Sequence, residues 1–291
     1  MLFCGSGVAL VTPFNNKGEV DYFELKNLIS FQIASGTQAL IILGTTGESP
    51  TISFEEREKI IKFVVCETSH RIPVIVGTGS NSTQSAIKLA RQAESLGADG
   101  ILVVSPYYNK ANQDGIFKHY KAIAKSTRLP IILYNVPSRT GVNILPETVL
   151  KLSKIKNIVG IKEASGNLSQ IAEICKRVPR SFAVYSGDDL LTLPILSLGA
   201  HGVISVTANA EPEKVQMLCN YAKNQDFFNA KRMHEYLFNL NKALFFDVNP
   251  ICIKYYLHLK GFNVGKPRLP LTIPSTDIQN KLKEVFKQYE S

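Results

Sequence analysis

No apolar run in the 291-residue chain approaches the roughly 18 residues that a membrane span needs. Met1-Leu2-Phe3-Cys4 passes into a strand-like stretch without a charged leader. A cytosolic protein with no membrane partner is the expectation. Cysteine is sparse: Cys4, Cys66, Cys175, Cys219 and Cys252 are scattered and form no Cys-x-x-Cys pair. This excludes a disulfide framework and predicts reduced, mostly buried thiols. The histidines His70, His119, His201, His234 and His258 show no pair at ligand spacing, so no metal site is expected. A basic block is also missing. Lys and Arg number 33 against 24 Asp and Glu, a net charge of +9, yet stretches such as Glu55-Glu56-Arg57-Glu58-Lys59 interleave the two signs. A basic balance spread in this way does not point to nucleic acid.

What is present is ordinary globular composition, 45% hydrophobic and 20% charged. Short runs rich in Val and Ile alternate with longer amphipathic stretches, as strands buried on both faces alternate with crossover helices. Eight runs qualify: Gly7–Val11, Ala39–Leu43, Val74–Gly77, Gly100–Val104, Ile131–Asn135, Ile158–Lys162, Ala183–Ser186 and Gly202–Ser205. Helical spacing marks Asp21–Ala34, Phe54–Glu67, Thr83–Leu96 and Gln113–Lys125, with Ser53 and Ser82 as helix starts. The phrases Ser95-Leu96-Gly97-Ala98-Asp99-Gly100 and Ser197-Leu198-Gly199-Ala200-His201-Gly202 repeat a glycine helix stop followed by a strand. Eight such units predict an α/β fold, a closed (β/α)8 barrel in preference to an open sheet. After Ser205 only helices are expected, over Pro212–Ala222, Asp226–Phe246, Pro250–Lys260 and Thr276–Tyr289. Residues 1–222 are assigned to the barrel and 223–291 to a helical extension packed on it.

Barrel enzymes carry their chemistry where the strands end. That rule selects Thr45 and Thr46, Tyr107 and Tyr108, Tyr134 and Asn135, Lys162 and Glu163, Gly187 and Asp188, and Ser205. Lys162 follows Ile158-Val159-Gly160-Ile161, among neighbours that desolvate an ammonium and free the amine to attack carbonyls. The same position also suits a lysine that snorkels to water. Tyr134 could move a proton through its hydroxyl or serve as an aromatic lid. Arg139, on the loop Asn135-Val136-Pro137-Ser138-Arg139-Thr140-Gly141, could clamp a carboxylate or stay solvated. Gly44-Thr45-Thr46-Gly47-Glu48-Ser49 could offer hydroxyls and N–H groups to a carboxylate, but no Gly-Lys-Ser/Thr follows it. Gly77-Thr78-Gly79-Ser80-Asn81 lacks the third glycine of a dinucleotide fingerprint, so no cofactor is expected. Asp188-Asp189 occupies the turn where barrels often bind phosphate, and would repel a phosphorylated substrate unless its carboxylates face elsewhere.

Gly44-Thr45-Thr46-Gly47-Glu48, Tyr134-Asn135-Val136-Pro137 and Gly160-Ile161-Lys162-Glu163, in this order at strand ends, resemble the pyruvate-dependent class I aldolases of the dihydrodipicolinate synthase and N-acetylneuraminate lyase family. The resemblance spans nearly the whole chain, and Tyr107-Tyr108 with the Arg139 loop resembles the synthase branch. It implies a lyase that condenses pyruvate with L-aspartate 4-semialdehyde to 4-hydroxy-tetrahydrodipicolinate, in lysine and diaminopimelate biosynthesis. Lys162 would form the Schiff base, and Tyr134, Thr45 and a neighbouring subunit's copy of Tyr108 the proton relay. Thr46 would hold the pyruvate carboxylate and Arg139 that of the semialdehyde, with Gly187 and Ile204 lining the site. A homotetramer, a dimer of dimers, is also implied. Ser49, Asn81 and Tyr107 match the family's lysine-binding allosteric pocket, but Arg57 and Ser85 stand where lysine-inhibited relatives carry histidine and glutamate. An added cation and a lost carboxylate imply weak or absent lysine feedback.

The sibling reading is a lyase acting on a sialic or sugar 2-oxo acid. A non-catalytic sensor or nucleic-acid binder on the same barrel would be expected to have damaged sites, whereas Thr45, Tyr108, Tyr134, Arg139 and Lys162 are all present.

Overall fold

The eight apolar runs become eight parallel strands in a computed structural model that describes residues 1–290. They are β1 (Gly5–Ala9), β2 (Ala39–Ile42), β3 (Val74–Gly77), β4 (Gly100–Val104), β5 (Ile131–Asn135), β6 (Ile158–Glu163), β7 (Ala183–Ser186) and β8 (Gly202–Ser205). Each pairs with its sequence neighbours, and β8 pairs with β1, closing the barrel. Around it lie α1 (Tyr22–Ala34), α2 (Phe54–Thr68), α3 (Thr83–Ser95), α4 (Gln113–Ser126), α5 (Pro137–Thr140), α6 (Pro146–Leu152), α7 (Leu168–Arg177), α8 (Thr192–Ser197) and α9 (Pro212–Lys223). α10 (Phe227–Ala243), α11 (Ile251–Leu259) and α12 (Thr276–Lys287) follow, with α10 against α9 and α12 against both α10 and α11.

Local chemistry accounts for most boundaries. Ser53 and Glu56 form a reciprocal capping box at the start of α2, and Ser82 caps α3. β1 departs from expectation, starting and ending two residues early. Its ladder ends because the Asn209 side chain intercepts it, donating to the Ala9 carbonyl at 2.8 Å and accepting from the Val11 N–H at 3.1 Å. Leu43 leaves β2 with a φ of +55°, and a Cβ on Gly77 would lie 2.2 Å from the Leu43 carbonyl oxygen. Glycine therefore lets the β2 and β3 ends approach.

Strand alternation splits the core in two. One set, including Ile41, Ile75, Leu102, Ile132, Tyr185 and Ile204, fills the barrel interior, while the larger set packs strands against helices. The cysteines depart partly from expectation. None is paired, but only Cys219 and Cys252 are buried and Cys66 is exposed, because it lies on the solvent face of α2. No helix among the described residues is long and apolar enough to cross a membrane.

Candidate active site

Across the barrel wall, Val104, Tyr134, Lys162 and Tyr185 are register neighbours on β4 to β7. Lys162 is only 5% exposed, and its ammonium sits 4.5 Å from the centre of the Tyr134 ring, a cation–π contact. The snorkelling alternative fails on this geometry. A Cβ on Gly187 would stand 2.9 Å from Lys162 Cε and 3.0 Å from its Cγ, so a side chain there would displace the lysine stem. Ile204 is buried with Tyr134 and Tyr185 in the interior cluster. Glu163 hydrogen-bonds to Asn135 Nδ2 at 3.0 and 3.1 Å and to the Ser165 N–H at 3.1 Å. Burial raises its carboxyl above the ordinary range.

At the strand ends opens a cavity of about 530 Å3, whose wall includes Thr45, Ser49, Arg57, Tyr107, Tyr134 and Arg139. Lys162 touches the Tyr134 ring without forming part of that wall. A larger groove of about 810 Å3, bordered by Cys4, Gly5, Ala200 and Gln216, lies where β1 and β8 begin. Barrels do chemistry at the other end, so the smaller cavity is the candidate site.

Thr46 is buried beside the cavity, and its hydroxyl accepts a hydrogen bond from Asn249 Nδ2 at 3.0 Å. The Asn249 carbonyl accepts one from Arg139 Nη2 at 3.2 Å. Asn249 thus links the threonine turn to the arginine loop. It was missed by sequence reasoning because it lies 203 residues from Thr46, in the turn between α10 and α11. Lys254 was missed as well, and its Nζ pairs with Glu48 Oε1 at 2.8 Å and donates to the Thr12 carbonyl at 3.0 Å. Both side chains of that pair are 1% exposed. Desolvation pushes the Lys254 ammonium down to about 8, against the opposing pull of Glu48.

Like Lys162, Thr46, Gly187 and Ile204, the expected residues Tyr108, Asn81 and Ser85 are not part of this cavity wall. Tyr108, with a φ of +71°, is 89% exposed, while its neighbour Tyr107 turns inward. Asn81 meets Asn109 through its backbone carbonyl, and Ser85 is exposed on α3, so only Ser49, Arg57 and Tyr107 of the presumed allosteric set converge. The Asp188 and Asp189 carboxylates are off this wall and engaged by the chain itself. Asp188 caps Leu190 N, and buried Asp189 accepts from Ser205 Oγ at 2.5 Å and from the Val206 and Thr207 N–H groups at 2.9 and 3.2 Å. Burial raises the Asp189 carboxyl.

The comparisons agree with this geometry. The family model described as "Dihydrodipicolinate synthetase family" matches residues 2–289. A 4-hydroxy-tetrahydrodipicolinate synthase of Aquifex aeolicus is 50% identical over 289 residues, 99% of this chain and 98% of that one. The crystal structure of dihydrodipicolinate synthase from the same organism superposes with a TM-score of 0.96, at 50% identity, over 99% of this chain and 98% of the other. A solved dihydrodipicolinate synthase variant described as the first monomeric one has a TM-score of 0.97 at 45% identity, covering 99% and 97% of the two chains. With the family model matched nearly end to end, a closed eight-stranded barrel and a buried lysine against a tyrosine at adjacent strand ends, the chain belongs to the dihydrodipicolinate synthetase family.

Proposed function

We propose that the chain is a Schiff-base lyase, a 4-hydroxy-tetrahydrodipicolinate synthase, which condenses pyruvate with L-aspartate 4-semialdehyde in lysine and diaminopimelate biosynthesis. The observation that carries this reading is the buried Lys162 amine held against Tyr134 beside a cavity with a cationic wall. In its neutral form the amine attacks C2 of pyruvate and, on loss of water, becomes an imine. Removal of a proton from C3 gives the enamine, which attacks the aldehyde carbon.

Each proton moved needs a group beside the imine. Tyr134 supplies one hydroxyl and Thr45, on the same cavity wall, a second. The exposed Tyr108 supplies the third to a neighbouring copy, so we propose a homotetramer in which tight dimers complete each site. A fully active monomer would refute that part. Because the Thr46 hydroxyl already accepts from Asn249, its own proton is free for the pyruvate carboxylate. Arg139, steered by the Asn249 carbonyl, meets the carboxylate of the semialdehyde. Gly187 leaves room for the reacting lysine, and Ile204 walls the interior. Both substrates are soluble metabolites, and the reading includes a cytoplasmic setting.

Lysine feedback is expected to be weak or absent, since Arg57 adds a cation near Ser49 and Tyr107 while Asn81 and Ser85 lie off the cavity wall. Inhibition at the concentrations that act on sensitive relatives would contradict this.

The decisive measurement is pyruvate consumption with and without the semialdehyde, comparing wild type with Lys162→Ala. Consumption that needs both the semialdehyde and Lys162 is the expected result. If borohydride traps pyruvate on Lys162 but the semialdehyde is not consumed, the aldehyde assignment is wrong. Arg139→Ala then separates the synthase from a sugar-acid lyase, since only the synthase is expected to lose nearly all activity.

A further inference from the structure

At the ends of β5 and β6 the residues form two pairs, and the condensation chemistry uses only one of them. Tyr134 faces Lys162 across the two strands, and one step further on Asn135 faces Glu163. Alternation turns this second pair to the other side of the sheet. Tyr134 belongs to the interior cluster, whereas Leu133 and Ile161, on the face that Asn135 and Glu163 share, pack outward against the helices. Asn135 and Glu163 are both fully buried. A buried carboxylate is costly unless its oxygens are well compensated, yet the donors to Glu163 are neutral. Asn135 Nδ2 reaches both oxygens, at 3.0 and 3.1 Å, and the Ser165 N–H reaches one of them at 3.1 Å.

The register of the two strands gives this group a task. Ile131 meets Ile158 but Ile132 meets Gly160, so Val159 is passed over. An irregularity of this kind re-aims the side chains beyond it, and a slip of one residue would turn Lys162 out of the barrel. Beyond it, the side-chain hydrogen bonds that join the two strands among the described residues are those of Asn135 to Glu163. Asn135 is itself held from outside the barrel. Its Oδ1 accepts from the Ile144 N–H at 2.9 Å, and its Nδ2 also donates at 2.8 Å to Asn143 Oδ1, which takes Gln170 Nε2 of α7 at 3.1 Å. The tie has a direction, because β5 supplies the donor and β6 a group that only accepts. An amide at 163 would set its own N–H groups against Asn135 Nδ2 or the Ser165 N–H.

We propose that Glu163 is a positioning residue: by accepting from Asn135 it fixes the end of β6 against the end of β5, and so sets the Lys162 amine at the Tyr134 ring. The kinetic consequence rests on the Schiff-base reading of Lys162, whereas the geometric one does not.

A crystal structure and steady-state kinetics of full-length Glu163→Gln test it. The 4.5 Å contact between the Lys162 ammonium and the Tyr134 ring is expected to open by about 1 Å, with kcat lower by about tenfold to a hundredfold and KM for pyruvate within about twofold of wild type. Asn135→Asp should act in the same direction. Asn135→Asp combined with Glu163→Gln exchanges donor and acceptor, and should recover about a third or more of the wild-type kcat. A purely structural role would lower the melting temperature and leave kcat of the folded protein as it was. That result overturns the proposal, as does an unchanged contact in Glu163→Gln or a double variant no better than Glu163→Gln alone. If the contact opens but wild type itself consumes no pyruvate, the positioning role stands and the Schiff-base reading fails. If Glu163→Gln does not fold, Asn135→Ser cuts the same tie from β5: an opened contact and a lowered kcat are expected there, and wild-type values overturn the proposal.

Discussion

Where the strands begin, Phe3 stacks on Tyr185 with ring centres 4.3 Å apart, and the Tyr185 hydroxyl donates to the Phe3 carbonyl at 2.8 Å. Where the strands end, the buried groups are Lys162, Arg57, and Lys254 with Glu48. Tyr185 and Lys162 are register neighbours on adjacent strands, yet one belongs to an apolar plug and the other to a charged site. Apolar stacking is stabilising without further help. Buried charge is tolerated only with a partner, and an isolated one is held in place by the rest of the fold. One end of this barrel therefore supplies stability that the other end spends on reactivity.

The sharpest way to break this division is Lys254→Met. Removing one member of a buried pair leaves Glu48 as an uncompensated charge, and the expected destabilisation is about 3–5 kcal/mol by denaturant unfolding. The functional end would then contain a structural requirement of its own, and no change in stability would show that the pair is dispensable. Phe3→Ala acts on the opposite end. It should cost about 3 kcal/mol from lost burial and the cavity left behind, with kcat of the folded protein close to wild type. A large fall in kcat without loss of stability would show that the two ends are coupled.

The helical shell supplies a control outside both ends. His119 on α4 is buried, shares a 2.9 Å hydrogen bond with Thr83 Oγ1, and has an unpartnered Nε2. Desolvation lowers it from 6.5 to about 4. Because the folded value is below the unfolded one, the unfolded chain binds more protons in this window. The contribution is complete above pH 6.5 and lost as pH falls toward 4, on the order of 2–3 kcal/mol. Urea midpoints of His119→Gln should fall less than those of wild type over that range, and parallel curves would refute the assignment. The smallest effect is expected at Asn249→Ala. Without its donor the Thr46 hydroxyl loses its orientation, raising KM for pyruvate by about tenfold with little change in stability. An unchanged KM would remove Asn249 from the site.

Period and punctuation made much of this legible in advance. Eight Val- and Ile-rich runs gave the eight strands, with Val74–Gly77, Gly100–Val104, Ile131–Asn135, Ala183–Ser186 and Gly202–Ser205 at the boundaries found. Strand ends also pointed to Tyr134 and Lys162, because the end of an apolar run is a local property. β1 slipped by two residues since its true end is set by Asn209, about 200 positions away in the chain. Arg57 was visible only as a residue differing from relatives. Its burial without a counter-ion could not be read from the alternating charges around it.

The order of strands and helices, the ends of most of them and the candidate lysine were determined by the sequence itself, through hydrophobic period and capping within a few residues. Tertiary structure alone decided that Glu48 belongs to Lys254, 206 residues away, that Asn249 joins Thr46 to Arg139, and that Arg57 is left unpaired. The reason is physical: a hydrophobic period acts along neighbouring residues, whereas which buried charges meet is settled only when the barrel closes and the C-terminal helices pack on it.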